Sequence, residues 1–267
     1  MTTKKIYLIV SIILVSVVAD AQRKVLFVMS AANELPLKKG KIYRETGVFL
    51  SEFYSAYKNI SELGYTIDFA TPGGIKASID KESLKDTYWG DRDSLLPEAI
   101  DFVKENELFN NPRSLEYALE NTGNYAGLVI PGGQGLMADL FYDEKVSMLL
   151  KEFASQGKPI GLVCHAPALI LAIPKEENPF TGYKVNSVTG LEERFIETFV
   201  MKGKPVKRRI GKQLRKNGQI YRKGWPKANI ALRDRMLITS QNPYSNEAFT
   251  RLYLDALKEY ELKGTLR

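Results

Sequence analysis

Ile160-Gly161-Leu162-Val163-Cys164-His165-Ala166-Pro167-Ala168 reads as a short buried strand that stops at Cys164 and turns at once into a helix. A side chain at such an elbow stands at the carboxyl edge of a sheet, where doubly wound folds bind ligands. The first amides of the following helix would face the thiol and lower its pKa. Cys164 is the only cysteine and His165 the only histidine of the 267 residues. One cysteine excludes an intramolecular disulfide, and one histidine excludes zinc sites built on two or three imidazoles, so no metal site is expected. Taken alone, Cys164 reads equally well as a nucleophile and as a small buried hydrophobe.

Outward from the elbow, strand and helix signals alternate. Residues 25–29 form a continuous apolar run of the kind buried in parallel sheets. Leu50, Phe53, Tyr57 and Ile60 follow at helical spacing, and Gly64 supplies a stop. Strands are predicted at 65–70, 126–130, 159–163, 184–189 and 236–240. A helix opens at Asp143 and closes at Gly157, and a last one carries Phe249, Leu252, Tyr253, Ala256 and Leu257 on one face. The order predicts an α/β fold: a doubly wound, mostly parallel sheet sandwiched by helices, in one domain over 22–267. Residues 75–124, with helical fragments at 95–103 and 113–119, are predicted as an inserted lid-like segment over that sheet.

The first 21 residues are set apart from this domain. Lys4 and Lys5 precede an apolar run at 6–18, too short to span a bilayer, and Ala19-Asp20-Ala21 resembles a cleavage site. Residues 1–21 are therefore expected to be a signal peptide, and the domain to be exported to the periplasm or secreted. The chain carries a net charge of +7. Much of it lies in the segment 202–233, where twelve residues are Lys or Arg and none is acidic. With no aromatic interleaving for base stacking, this segment reads as a solvated face, and no nucleic acid is expected as a partner.

Two further stretches bear on the elbow. Pro131-Gly132-Gly133-Gln134-Gly135 follows a strand, so its loop lies at the same sheet edge, where glycines let backbone N–H groups approach an oxyanion. Thr46-Gly47-Val48-Phe49-Leu50-Ser51-Glu52 opens the first helix. Glu52 has Val48, Ser55 and Ala56 at its helical neighbours and Phe49 and Phe53 beside it. With no salt-bridge partner at those positions, it reads either as a solvent-facing helix residue or as a desolvated carboxyl of raised pKa, suited to proton transfer.

Together these stretches carry a resemblance. Val163-Cys164-His165-Ala166-Pro167-Ala168 resembles the nucleophile elbow of the DJ-1/PfpI superfamily, whose usual form is Cys-His-Gly-Pro. The stretch ending at Glu52 is similar to the helix start of the Hsp31-like branch, where a glutamate approaches the thiol. Ile130-Pro131-Gly132-Gly133-Gln134-Gly135, followed by Asp139-Leu140, resembles that branch's Gly-Gly-His-Gly loop. Leu237-Ile238-Thr239-Ser240-Gln241-Asn242-Pro243-Tyr244-Ser245 resembles its late strand and Thr-Gly-Gln-Asn-Pro-x-Ser turn.

The resemblance implies a flavodoxin-like sandwich with Cys164, Glu52 and His165 as catalytic residues and Gly132, Gly133 and Gln134 around the oxyanion and substrate. It implies a cofactor-free enzyme acting on a small-molecule carbonyl, foremost the glyoxalase III-type conversion of methylglyoxal to lactate. The alternatives are a cysteine-dependent amidase or peptidase, and a holdase or binding protein on the same fold. A homodimer is the assembly considered, and no membrane span is expected once residues 1–21 are removed. Some members pair the elbow histidine with a downstream acid, for which Glu192, Glu193 and Glu197 are candidates, with Glu197 the one expected at the site. The chain departs from the pattern at Gln134, which replaces a histidine, and at Ala166 and Ser240, which replace glycines. Class I glutamine amidotransferase domains share the fold, but their histidine lies downstream of the cysteine, and this chain has none there.

Overall fold

A computed structural model describes residues 23–90 and 95–265; the expected leader lies outside them. Eleven strands and seven principal helices follow one another along these residues. The first half holds β1 (Lys24–Val28), β2 (Glu34–Leu37), β3 (Ile42–Glu45), α1 (Leu50–Glu62), β4 (Thr66–Thr71), α2 (Leu95–Glu105), β5 (Arg113–Ser114) and α3 (Leu115–Glu120). The second half holds β6 (Gly127–Ile130), α4 (Glu144–Ser155), β7 (Ile160–Val163), β8 (Lys184–Val185), α5 (Gly190–Phe195), α6 (Ile210–Lys216), β9 (Ile220–Tyr221), β10 (Ala231–Asp234), β11 (Leu237–Ser240) and α7 (Asn246–Thr265).

Seven strands form the central sheet in the order β10-β11-β7-β6-β1-β4-β5. All neighbours run parallel except the edge pair β10–β11. The chain leaves β1 toward β4 and β5 on one side and later fills β6, β7 and β11 on the other. That reversal opens a crevice at the carboxyl ends of β1 and β6, the place where open parallel sheets bind ligands. The strands there are buried on both faces, which is why they read as unbroken apolar runs. Helices α1, α2 and α7 pack together, as do α3 and α4, and the doubly wound sandwich expected from the sequence is the fold observed.

Several local expectations change. The segment 75–124 is not a lid in its main part. Phe109 is fully buried and meets Phe53 of α1 at 5.2 Å and Phe69 of β4 at 5.7 Å, and Phe102 of α2 joins the same cluster. Arg113 and Ser114 extend the sheet by pairing with Ala70 and Thr71. The segment concealed this because each helix buries a short aromatic face and the strand is two residues long. The strand predicted at 184–189 shrinks to Lys184–Val185, which pairs with β9 outside the central sheet. There Asn186 N–H is taken by the Thr239 hydroxyl at 3.0 Å and Thr189 caps α5, so the ladder ends. The polar stretch after β1 contains a hairpin, β2–β3, and β10 is an edge strand that mixed polarity hid.

Helix α7 lies close over β6 and β7 because two strand positions lack a side chain. A Cβ at Gly161 would stand 2.6 Å from Phe249 Cζ and 3.0 Å from Tyr253 Cδ2. Phe249 and Tyr253 are stacked, with centroids 5.7 Å apart, so neither ring has free space to retreat. Gly161→Ala should cost about 1–3 kcal/mol by overpacking, read as a lower urea midpoint. Phe249→Leu added to it should recover part of the loss, since residues in contact are not additive.

Candidate active site

Cys164 directly follows β7 in a left-handed conformation, φ 59°, which is strained for any residue but glycine, asparagine or aspartate. Two hydrogen bonds hold it there. Its N–H donates to Ser240 O of β11 at 2.9 Å, and its carbonyl accepts from Val188 N at 2.9 Å. The thiol is thus turned out of the strand and into the crevice. Ala166 takes an ordinary negative φ in a 3-10 segment, Ala166–Ala172, and its methyl is fully buried. The methyl at this position is therefore accommodated.

Glu52 reaches the thiol from α1. The helix start is fixed by Val48 N donating to Ser78 O at 2.8 Å and Phe49 N donating to Gly132 O at 3.0 Å. These bonds dock the first turn onto the loop after β6. A Cβ at Gly132 would overlap Glu52 Oε2 and stand 2.7 Å from Cys164 Cβ. Carboxyl, thiol and loop backbone therefore share one small volume that only glycine leaves open. Gly133 is equally constrained: its φ is +122°, and a side chain there would overlap Gly47 O. The N–H groups of Gly133 and His165 donate to no backbone carbonyl among the described residues; the His165 N–H faces the Cys164 sulfur, so the two flank the place where an oxyanion would form beside the thiol.

The electrostatics differ from the sequence expectation on one point. The segment after the elbow is a 3-10 turn and not an α-helix, and the thiol is not driven toward thiolate. Burial, then the nearby Glu52 and Glu192, push the Cys164 pKa well up, and the His165 N–H offsets only part of this. Glu52, about 1% exposed, is raised from 4.5 to about 8, chiefly by burial, with the Cys164 thiol and the Gly132 N–H pulling the other way. Its oxygens have no hydrogen-bond partner in good geometry. Near neutral pH the pair therefore holds two protons, one on each group.

His165 does not point away from its neighbour. Nδ1 lies 3.2 Å from Cys164 Sγ, and Nε2 lies 2.7 Å from Gln134 Nε2. Burial lowers the imidazole pKa to about 4, so the ring is neutral. With the Gln134 amide N–H donating to Nε2, the single imidazole proton sits on Nδ1 and is offered to sulfur. The amide orientation thus selects the tautomer.

Among the described residues, no downstream acid is hydrogen-bonded to the His165 ring, whose nitrogens meet Cys164 and Gln134. Glu197 accepts from Arg208 Nε at 2.6 Å and Arg209 Nη2 at 3.2 Å, so its partners are two residues of the basic segment. Glu193 accepts from Arg209 N at 2.5 Å, and burial raises its pKa to about 7. Glu192 closes a capping box with Thr189, accepting from its N–H at 2.9 Å, and also takes Asn242 Nδ2 at 2.8 Å and Lys227 N at 2.9 Å. The late turn therefore serves to hold Glu192 at the cavity wall. Asp139 is also an anchor, accepting from Ser30 Oγ and from the N–H groups of Ala31 and Ala32 at 2.8–3.0 Å.

Above the thiol is a cavity of about 400 Å³, lined in part by Phe49, Tyr88, Leu191, Phe195, Val200 and Tyr244. Glu192 lines it too, and the Thr-x-x-Glu capping signature was readable in the sequence. Tyr88 lay in the segment without clear periodicity and gave no signal.

The sequence pattern of the DJ-1/PfpI family matches residues 41–256. A protein named protein/nucleic acid deglycase HchA from Pseudomonas aeruginosa is 27% identical over 254 residues, covering 89% of this chain and 81% of that protein. The Escherichia coli proteins of the same name are 22% identical and cover 86% and 80%. Among solved structures, the Rapid Encystment Protein 24 KDa of Francisella tularensis superposes with a TM-score of 0.72 at 21% identity, covering 88% of this chain and 98% of that one. Glyoxalase III from Candida albicans superposes at 0.66 and 21% identity, covering 87% and 96%.

Burial of Glu52 has a consequence for stability. Its folded pKa lies above the ordinary value, so the native state holds this proton more tightly than the unfolded chain. The carboxyl therefore weakens the fold progressively as pH rises from about 4.5 toward about 8. Glu52→Gln removes that dependence. Relative to the parent protein, it should gain stability between pH 5 and pH 8, by an amount on the order of a few kcal/mol, measured by urea unfolding at both values. An identical difference at the two pH values would place the carboxyl in water.

Proposed function

The chain belongs to the DJ-1/PfpI family, and from that membership and the geometry at Cys164 we propose a cofactor-independent enzyme that converts a 2-oxoaldehyde to the corresponding 2-hydroxy acid. The carrying observation is the strained thiol beside a fully buried carboxyl, the two sharing a volume that only Gly132 leaves open. The name of the deglycase relatives points to the same general chemistry of reactive carbonyls.

The reactive form is the pair that has lost one of its two protons, first from Glu52, with the remaining proton then shifted from sulfur to the Glu52 carboxylate as the thiolate attacks. Cys164 thiolate adds to the aldehyde carbon C1, a C–S bond forms, and the C1 oxygen takes the proton of Glu52. The N–H groups of Gly133 and His165 hold the developing oxyanion, and the Nδ1–H of His165 stabilises sulfur before attack. Glu52, now a carboxylate, removes the C1 hydrogen as a proton and returns it to C2 through an enediol, while the hydroxyl proton on the C1 oxygen passes to the C2 oxygen. C1 is oxidised to a thioester and C2 is reduced to an alcohol, with no external oxidant. Water then cleaves the C–S bond and releases the 2-hydroxy acid, so the net change is addition of one water. The leader-like residues 1–21 support the further proposal that this takes place outside the cytoplasm.

A binding or holdase protein is the rival reading, favoured by the exposed Phe199 and Trp225. Turnover of methylglyoxal to lactate separates the two. Cys164→Ala should abolish it, and Glu52→Gln should lower it by ~10²-fold or more, the usual contribution of an acid–base group. The parent kcat/KM should rise as pH passes through about 8, where the coupled pair loses its first proton. Equal rates for Glu52→Gln and the parent would remove the carboxylate from the reaction, and a complete lack of turnover in the parent would favour the binding protein.

A further inference from the structure

The cavity above Cys164 is larger than methylglyoxal requires. Its volume of about 400 Å³ falls in the range of sites that take drug-sized ligands. At roughly 30 Å³ of liquid volume per water-sized heavy atom, the five heavy atoms of methylglyoxal fill less than half of it.

The lining says what the remaining space suits. Leu191 and Phe195, one helical turn apart on α5, border the cavity yet are 50% and 57% exposed. Ile196 and Val200, on the helical stretch that directly follows α5, continue that apolar wall. Elsewhere on the lining, Phe49 and Tyr88 meet edge to face at 5.0 Å, and Tyr88 stands 5.9 Å from Tyr244. Charged groups on the lining are mostly engaged. Glu192 is held by Thr189, Asn242 and Lys227 N, the Arg44 guanidinium donates to Val200 O, and the Lys227 ammonium lies over the Tyr244 ring at 5.5 Å. A small polar aldehyde at Cys164 would leave Leu191 and Phe195 wet. An apolar group attached to it would cover them, with a gain proportional to the area removed from water.

Resting on the 2-oxoaldehyde chemistry above, we infer that the substrate carries an apolar aryl or alkyl group of roughly six to eight heavy atoms on C2, held by Leu191, Phe195, Ile196 and Val200. The reaction is unchanged: the C1 hydrogen moves to C2, and the product is a 2-hydroxy acid bearing the same group. Filling the cavity also keeps water from the enediol while Glu52 carries the proton.

The test is a series of methylglyoxal, 2-oxohexanal, 2-oxooctanal and phenylglyoxal, with binding of the matching 2-hydroxy acids measured in parallel by calorimetry. For the parent protein, kcat/KM should rise about fourfold per added methylene, and phenylglyoxal should exceed methylglyoxal by about tenfold or more. Leu191→Ser with Phe195→Ser, both at half-exposed positions, should flatten this slope. A purely structural defect would lower all four rates together and leave the slope. A parent series with equal kcat/KM for all four aldehydes overturns the inference. If no aldehyde is turned over, 2-hydroxy acid affinity that rises along the series sustains the apolar subsite and removes the proposed reaction, whereas flat affinity overturns the subsite.

Discussion

The approach of the Glu52 carboxyl to the Cys164 thiol across Gly132 is the contact on which the rest of this structure turns. A single methyl on Gly132 would occupy the space that carboxyl and thiol share. Bringing the two together requires α1 to begin where it does, which the Phe49 N–H to Gly132 O bond achieves. It also requires a left-handed residue directly after β7, which the Ser240 and Val188 bonds enforce. The sheet order places both supports at one carboxyl edge, because β6 and β11 are the two neighbours of β7.

This arrangement costs stability. A non-glycine residue at positive φ and a buried carboxyl without well-aligned hydrogen bonds each work against folding, by about 1–3 kcal/mol for the backbone alone. The rest of the fold absorbs that cost. Phe27, Phe53, Phe69, Phe102 and Phe109 form one aromatic cluster between β1, β4, α1 and α2, so the helix that presents Glu52 is also one of the best anchored. The uncharged state of the pair follows from the same burial: neither thiolate nor carboxylate is solvated in the resting site. A site of this kind reacts only after a proton leaves, and the neutral His165, with Nδ1 beside sulfur, is the group placed to stabilise the anion that results.

Much of this was legible in the sequence because the central strands are buried on both faces. Apolar runs such as Val25 to Val28 and Ile160 to Val163 admit little other reading. Glu52 stood out because its helical neighbours offered no charge partner, a local signal for a tertiary fact. The errors share a cause as well. The thiol pKa was read from the local helix dipole, whereas its surroundings are set by α1 and by Glu192, which are remote in sequence. Glu197 looked available to His165 by position, but the basic segment folds back and two of its arginines take it. Phe109 and the two-residue strand β5 belong to the core through contacts with residues far away in the chain, which periodicity over ten residues cannot register.

Infrared difference spectroscopy can read out whether Glu52 is protonated at rest beside a protonated thiol. The spectrum of the parent protein minus that of Glu52→Gln isolates the C=O stretch of this one carboxyl. A neutral-carboxyl band is expected near pH 6, fading as pH passes through about 8. A carboxylate signature already complete near pH 6 would contradict it.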